Sequence, residues 1–326
     1  MDPTPREDQI ALGFDIGGSR TKVGLVNRAG KILSSSEFPS NLLERSREAF
    51  LLELKGEILN QLGLAKGGVL GIGASFLGWI DDARTGPFLC SNAPELHGFN
   101  LKRFLEEEFH LPVVLNDDAT AHVLAEHAYG CGQGVRRFMS MAMGTGLGVG
   151  VILNGHPLTF TAGCVGDAGH MILRPGGPVC SSGCHGCGEA LIGVAGIEQL
   201  GLEKYGYPKT AREIIQAAGI GDDPVAVQVM MEIGGYTGEL LASISHIFLP
   251  DRIALTGGTT NAGSVLLDAV RHKFDELVGD YHRNFSKMSN GYYHGVEIVF
   301  GTLKGETGLI GSVVEIFKPS GSNTRH

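Results

Sequence analysis

Residues 10–27 read IALGFDIGGSRTKVGLVN. The apolar run Ile10–Phe14 ends in Asp15, Gly17-Gly18 makes a turn, Lys22–Val26 runs back, and Asn27-Arg28-Ala29-Gly30 turns again. Short apolar runs bounded by Gly and Asn read as strand, tight turn and returning strand. Residues 138–154, FMSMAMGTGLGVGVILN, follow the same grammar: strand Phe138–Met143, glycine turn Gly144-Thr145-Gly146, strand Leu147–Leu153, then the turn Asn154-Gly155. Gly17 to Asn27 spans the same ten positions as Gly144 to Asn154. We read this as an internal duplication of one hairpin unit, hence two related α/β halves. Chance similarity of two Gly-rich hairpins is the alternative.

Outward from the hairpins, elements alternate. Within residues 42–62, Leu43, Arg47, Phe50, Leu51, Leu54, Ile58 and Leu62 fall mostly at steps of three and four, which predicts an amphipathic helix. Val69–Gly73 and Val113–Leu115 read as short buried strands, and a helix is expected after Glu189. Thr210 and Glu213 have capping-box spacing, and a helix over about 224–248 starts with Asp223 as N-cap and Pro224 at N1. Strand Arg252–Leu255 runs into Thr256-Gly257-Gly258, and strand Val296–Phe300 precedes a closing helix near 306–317. Alternating strands and helices predict α/β architecture with two sheets, and a cleft between two such lobes is where ligands usually sit.

The chain has 326 residues, enough for about two domains, and 50 are Gly, roughly twice the usual ~7%. With no G-X-Y period and no long Gly/Ser tract, these glycines punctuate folded elements. Lys+Arg is 26 against Asp+Glu 35, a net charge of −9, and nothing resembles a basic arm, so nucleic acid is a poor first guess. There is no apolar run long enough to span a membrane, and the opening MDPTPRED matches neither a signal nor a transit peptide, so a soluble, cytoplasmic protein is expected. Cys180, Cys184 and Cys187 fall within eight residues, while Cys90, Cys131 and Cys164 are scattered. In a reducing compartment such a cluster reads as metal-binding before it reads as disulfide.

Three groups of residues carry chemistry. In Asp15-Ile16-Gly17-Gly18-Ser19, a strand ends in a carboxylate, a two-glycine turn and a hydroxyl. Backbone N–H groups without Cβ atoms beside them can approach phosphate oxygens, and a carboxylate can hold Mg²⁺. Gly144-Thr145-Gly146-Leu147-Gly148 offers the same donors from the other half, so the two turns would clamp one polyphosphate. There is no G-x-x-x-x-G-K-[ST] loop, and Val149 stands where the last Gly of a dinucleotide turn belongs. Asn116-Asp117-Asp118 follows a strand and opens an Ala-rich helix. A carboxylate there can take the proton of an attacking hydroxyl, although Asp and Asn are equally good helix caps. Finally, Asp167-Ala168-Gly169-His170 is followed by Cys180, Cys184 and Cys187-Gly188-Glu189. These spacings suit a Zn²⁺ site of Cys180, Cys184, Cys187 and His170, with buried free thiols as the alternative. Asp167, His170 and Glu189 would then converge to bind hydroxyls.

In this order and spacing, Asp15–Ser19, Asn116-Asp117, Gly144–Gly146, Asp167-x-Gly169-His170 and the Cys180–Glu189 loop resemble the ROK family (repressor, open reading frame, kinase) of sugar kinases. The resemblance covers about residues 10–317. It implies the actin-like ATPase fold of hexokinase type, two duplicated ribonuclease-H-like lobes with an interlobe active-site cleft. The N-terminal lobe would be residues 1–116 joined by a closing helix near 306–326, and the C-terminal lobe residues 117–305, with the zinc loop at 170–189. It implies transfer of the ATP γ-phosphate to a hexose or N-acetylhexosamine, with Mg²⁺ and a structural Zn²⁺, in a homodimer without nucleic-acid or membrane partners. Asp117 looks like the catalytic base and Asn116 a sugar contact; Asp167, His170 and Glu189 complete the sugar set. Asp15, Gly17, Gly18, Ser19, Arg20, Gly144, Thr145 and Gly146, with Gly257 and Gly258, look like the ATP and Mg²⁺ side. The sequence departs from the family pattern in several places. Asp167 replaces Glu and is shorter by a methylene; Ser182 stands at the usual second cysteine and Cys184 is extra. Arg20 replaces Lys, Ala119 a frequent Asn, and Thr256 the first of three glycines.

The leading expectation is therefore a glucokinase-type kinase. An N-acetylmannosamine, N-acetylglucosamine or fructose kinase is the alternative, and a sugar-binding module without turnover the second. A sugar-sensing repressor would need a helix-turn-helix domain before the first turn, and only nine residues precede Ile10.

Overall fold

The computed structural model describes residues 8–90, 93–159 and 167–318. In chain order the strands are β1 (Ile10–Ile16), β2 (Arg20–Asn27), β3 (Ile32–Pro39), β4 (Val69–Phe76), β5 (Trp79–Ile80), β6 (Pro87–Leu89), β7 (Val113–Asp117), β8 (Arg137–Met143), β9 (Leu147–Leu153), β10 (His156–Pro157), β11 (Arg252–Thr256) and β12 (Glu297–Phe300). The helices are α1 (Arg47–Leu64), α2 (Leu101–Phe109), α3 (Asp118–Tyr129), α4 (Gly188–Ile192), α5 (Val194–Tyr205), α6 (Ala211–Ile220), α7 (Pro224–Phe248), α8 (Ser264–Met288) and α9 (Thr307–Val313).

One sheet has the order β3-β2-β1-β4-β7 and the other β10-β9-β8-β11-β12. In each, the glycine-turn hairpin is antiparallel, β1 with β2 and β8 with β9, and the next strands add in parallel. The duplication read from the two hairpins thus extends to the whole sheet. Among the described residues one compact unit holds 8–133, 157–159 and 306–318, and the other 134–156 and 167–305. The division expected after Asn116 falls after Gln133, because α3 packs with α9. A Cβ on Gly311 would lie 1.8 Å from the Ala121 carbonyl oxygen, so the two helices touch backbone to backbone.

In the first unit, alternation along β1 sorts residues between two layers. Ile10, Leu12, Phe14 and Ile16 join a core with Phe50, Leu54 and Ile58 of α1. Ala11 joins Val26, Leu309, Val313 and Phe317 on the opposite face. The small residues on that face let α9 settle onto the sheet: a Cβ on Gly13 would lie 2.7 Å from Ser312 Oγ, and one on Gly73 2.1 Å from the Ser312 carbonyl oxygen. Every residue of α9 is buried. The closing helix is shorter than expected, and residues 319–326 of that segment lie outside the described residues.

The long helix predicted from residue 42 begins at Arg47. Asn41 takes a left-handed conformation (φ 45°), its carbonyl closes a turn with Glu44 and Arg45, and Ser46 accepts from the Ala49 N–H as N-cap. Leu43 therefore leaves the apolar stripe and is exposed, whereas Leu42 is buried. Elsewhere the caps are as read: Thr210 and Glu213 form the capping box of α6, and Asp223 caps α7 with Pro224 behind it.

Candidate active site

In the first unit, Asp15 is the last residue of β1 on the α9 face. A Cβ on Gly308 would sit 2.2 Å from its Oδ2, so the carboxylate rests against the start of α9. Beyond it, the Gly17 N–H donates to the Arg20 carbonyl at 2.9 Å, while the Gly18 and Ser19 carbonyls accept from Leu42 and Ser40. Ser19 and Arg20 are exposed, and the Arg20 guanidinium pairs with Glu37.

The strand expected over Val113–Leu115 continues to Asp117, which brings Asn116 and Asp117 to its last two positions. Asp117 is 4% exposed and caps α3: its Oδ1 accepts from the Thr120 N–H at 2.9 Å. Its Oδ2 is buried without a hydrogen-bond partner among the described residues. Capping and base chemistry are therefore compatible, since each uses a different oxygen. Burial pushes the Asp117 carboxyl up to about 6, with Asp118 adding to the effect and the Thr120 bond opposing it. One turn along α3, burial lowers the pKa of His122 against the pull of Asp15, Glu126 and Asp117, and its Nδ1 has no partner among the described residues.

In the second unit, the Gly144 N–H donates to the Gly146 carbonyl at 3.0 Å and closes the turn between β8 and β9. Gly257 has φ 88°, and a Cβ on it would lie 2.3 Å from the Met143 carbonyl oxygen, so its turn with Gly258 stacks on the end of β8. Thr256, the departure from three glycines, is buried with its Oγ1 3.4 Å from the Met141 carbonyl oxygen, turned into the sheet. Glu189 ties the glycine turn to the cysteine loop. Its Oε2 accepts from the Leu147 N–H at 3.3 Å and its Oε1 from Ser181 Oγ at 3.2 Å. Gly146 must lack a side chain for this approach, since a Cβ there would lie 2.4 Å from Glu189 Oε2.

His170, Cys180 and Cys187 present one donor atom each within 4.8 Å of one another. His170 Nδ1 is 3.5 Å from both sulfurs. Tetrahedral Zn–N and Zn–S bonds of about 2.0 and 2.3 Å place N and S about 3.5 Å apart, so the donor set fits zinc. Burial raises the Cys187 thiol to about 11, with Cys180 and Cys184 adding to it, and a bound cation is what would reverse that preference. His170 Nε2 lies 3.5 Å from Asp167 Oδ2, the carboxylate-to-histidine link that commonly orients a metal-bound imidazole. Cys184, expected as the third sulfur ligand, is outside the three-residue group. Cys180 donates its backbone N–H to the Cys184 carbonyl at 2.9 Å, and the chain then turns back before Cys187.

A model of the ROK family matches residues 11–312. The chain belongs to the ROK family. The glucokinase of Thermotoga maritima is 29% identical over 315 residues, covering 92% of this chain and 95% of that one. The DNA-binding transcriptional dual regulator NagC of Escherichia coli is 28% identical over 272 residues, covering 80% of this chain and 66% of NagC. The crystal structure of a ROK family glucokinase from Streptomyces griseus in complex with glucose and AMPPNP superposes with a TM-score of 0.77 at 26% identity, covering 93% of this chain and 97% of that one. The fold is the actin-like α/β architecture of this family, and no helix of the described residues is long and apolar enough to cross a membrane.

Within this ROK chain the structure places Asn116 and Asp117 at the end of β7, and the turn at Gly144–Gly146 against the turn at Gly257 and the Glu189 side chain of α4. Sequence reasoning missed Arg84, Glu315, His122 and Ser181. An Arg in the polar turn Asp81-Asp82-Ala83-Arg84-Thr85 carries no pattern that separates it from a solvated one, and its partner Glu315 is remote in sequence.

Proposed function

We propose that this protein is an ATP-dependent sugar kinase that transfers the γ-phosphate of ATP to a hydroxyl of a hexose, glucose first. The observation that carries this reading is the second oxygen of Asp117, buried, unpartnered and held at a pKa near neutrality. A general base works best when its pKa lies close to the working pH, and such a base typically contributes about 10²–10⁴-fold. Asp117 takes the hydroxyl proton as that oxygen attacks phosphorus, and Asn116 holds the sugar beside it. Asp167, His170 and Glu189 supply further hydroxyl contacts. The backbone N–H groups around Gly17, Gly18, Ser19 and Arg20, and around Gly144, Thr145 and Gly146, receive phosphate oxygens, with Gly257 and Gly258 on the nucleoside side.

Mg²⁺, when bound with ATP, neutralises phosphate charge, and Asp15 is the carboxylate placed to hold it. Zinc would be held by His170, Cys180 and Cys187, with Cys184 the nearest further thiolate in sequence, and would pin the loop that carries Glu189. In this reading the protein acts as a cytoplasmic homodimer, and its net charge of −9 favours a partner set without nucleic acid.

A coupled ATP-consumption assay over hexoses and N-acetylhexosamines tests the reading. Sugar-dependent ADP formation, fastest with glucose and lost in Asp117→Ala, is expected. Turnover fastest with an N-acetylhexosamine would reassign the substrate, and sugar binding without ADP formation would make the protein a sugar-binding module.

A further inference from the structure

Arg84 sits in the turn between β5 and β6 with φ 55°, a left-handed conformation costly for a side chain of its size. The turn is clasped by Asp81. Its carbonyl accepts from the Arg84 N–H at 2.8 Å, its Oδ1 from the Thr85 N–H at 2.7 Å, and its Oδ2 from Thr85 Oγ1. So held, the guanidinium reaches across the end of β7. Nε donates to the Leu115 carbonyl at 2.6 Å, and Nη2 donates to Asn116 Oδ1. The same Nη2 lies 2.5 Å from Glu315 Oε2. Burial pushes the Glu315 carboxyl up, but the Arg84 charge and hydrogen bond, with Lys318 and Asn116, together hold the pKa below the ordinary value, so the pair is ionised.

A guanidinium has donors only. The Asn116 atom facing it must be the oxygen, which settles an amide orientation that could otherwise go either way. Nδ2 is then left with two N–H groups. A hydrogen bond with Asn116 lowers the Glu315 pKa further, so one N–H of Nδ2 leans toward that carboxylate, and Nδ2, buried, has no closer partner among the described residues. In the next residue, Asp117 Oδ2 is also buried and unpartnered. An unpaired donor on Asn116 and an unpaired acceptor on Asp117, at the last two positions of β7, suit a polyol, whose hydroxyls both accept and donate.

We propose that Arg84, braced by Glu315, is a positioning residue that locks Asn116 as a hydrogen-bond donor toward a hydroxyl of the hexose. The inference rests on the kinase reading above, in which Asn116 touches the sugar. Without Arg84 the amide would be free to rotate, presenting its oxygen to the sugar for part of the time.

Steady-state kinetics of Arg84→Met, Asn116→Ala and the double variant test this with glucose and ATP. Arg84→Met should raise the KM for glucose about 10- to 100-fold, the range of one lost buried polar contact, with a smaller fall in kcat and no change in the KM for ATP. The double variant should be no worse than Asn116→Ala alone, because both remove the same contact. On the monodeoxyglucose for which Asn116→Ala ceases to matter, Arg84→Met should fall equally silent. Glu315→Gln, which keeps an acceptor for Arg84, should show a smaller change of the same sign and serves if Arg84→Met does not fold. Additive effects in the double variant, or an unchanged KM for glucose in both Arg84→Met and Glu315→Gln, overturn the inference. An unchanged KM in Asn116→Ala instead overturns the sugar contact on which it rests.

Discussion

Asp117 carries two demands on one carboxylate. Oδ1 satisfies an otherwise unpaired N–H at the start of α3, and Oδ2 is kept dry and unpartnered. Because its pKa in the folded protein is raised from 3.8 to about 6, ionisation is less favourable in the fold than in the unfolded chain. The sign follows: stability falls as pH rises from about 4 to about 6, and the cost is complete above that, roughly 3 kcal/mol for a shift of about two units. Asp117→Asn keeps the capping oxygen and removes the charge. It should therefore be more stable than the parent by up to ~3 kcal/mol at pH 8 and nearly equal to it at pH 4, read from urea midpoints, while kcat falls by about 10²–10⁴-fold. In the parent, kcat/KM for glucose should rise with pH through about 6, since the deprotonated form is the active one. A flat profile between pH 5 and 8 would remove Asp117 from the proton transfer.

At the scale of elements, the cysteine loop depends on one glycine as much as on its sulfurs. Gly186 has φ 68°, a Cβ on it would lie 1.6 Å from the Arg174 carbonyl oxygen, and its own carbonyl accepts from the Leu173 and Arg174 N–H groups at 2.9 Å each. Gly186→Ala should cost more than about 1 kcal/mol and open the loop. Metal analysis of protein purified without chelator is expected to find about one zinc per chain, lost in Cys187→Ser and reduced in Gly186→Ala. Zinc retained in full by Gly186→Ala would show that the loop closes without that turn. The cysteine spacing was readable because chemistry clusters there in sequence. The turn that places Cys187 was not, because a lone Gly between His185 and Cys187 gives no sign of its φ.

For the whole molecule, what the sequence made legible was periodic or repeated. The paired hairpins announced the duplicated sheets, and Asp223-Pro224 and Thr210–Glu213 announced their helices. What stayed hidden was set by distant packing. The start of α1 was fixed by the left-handed Asn41, and the partition of α3 by the close approach of Gly311 to Ala121. Of the site, Asn116 and Asp117 could be read from a strand end, whereas the brace at Arg84 joins residues far apart in the chain. Deleting the chain from Glu306 onward should strip the first unit of a buried layer while leaving the second unit's sheet intact. Hydrogen exchange should then be fast in β1 and β4 and slow in β8 and β11; protection of β1 and β4 at parent levels would show that α9 is dispensable.

The wholly buried α9 also imposes an order on synthesis. The ribosome emits β1 early, yet the layer that covers its inner glycines is translated after every strand of both sheets. The later-made half has all its strands before that point and can mature first, while the earlier-made half waits, its apolar face open to chaperones, until α9 has been made.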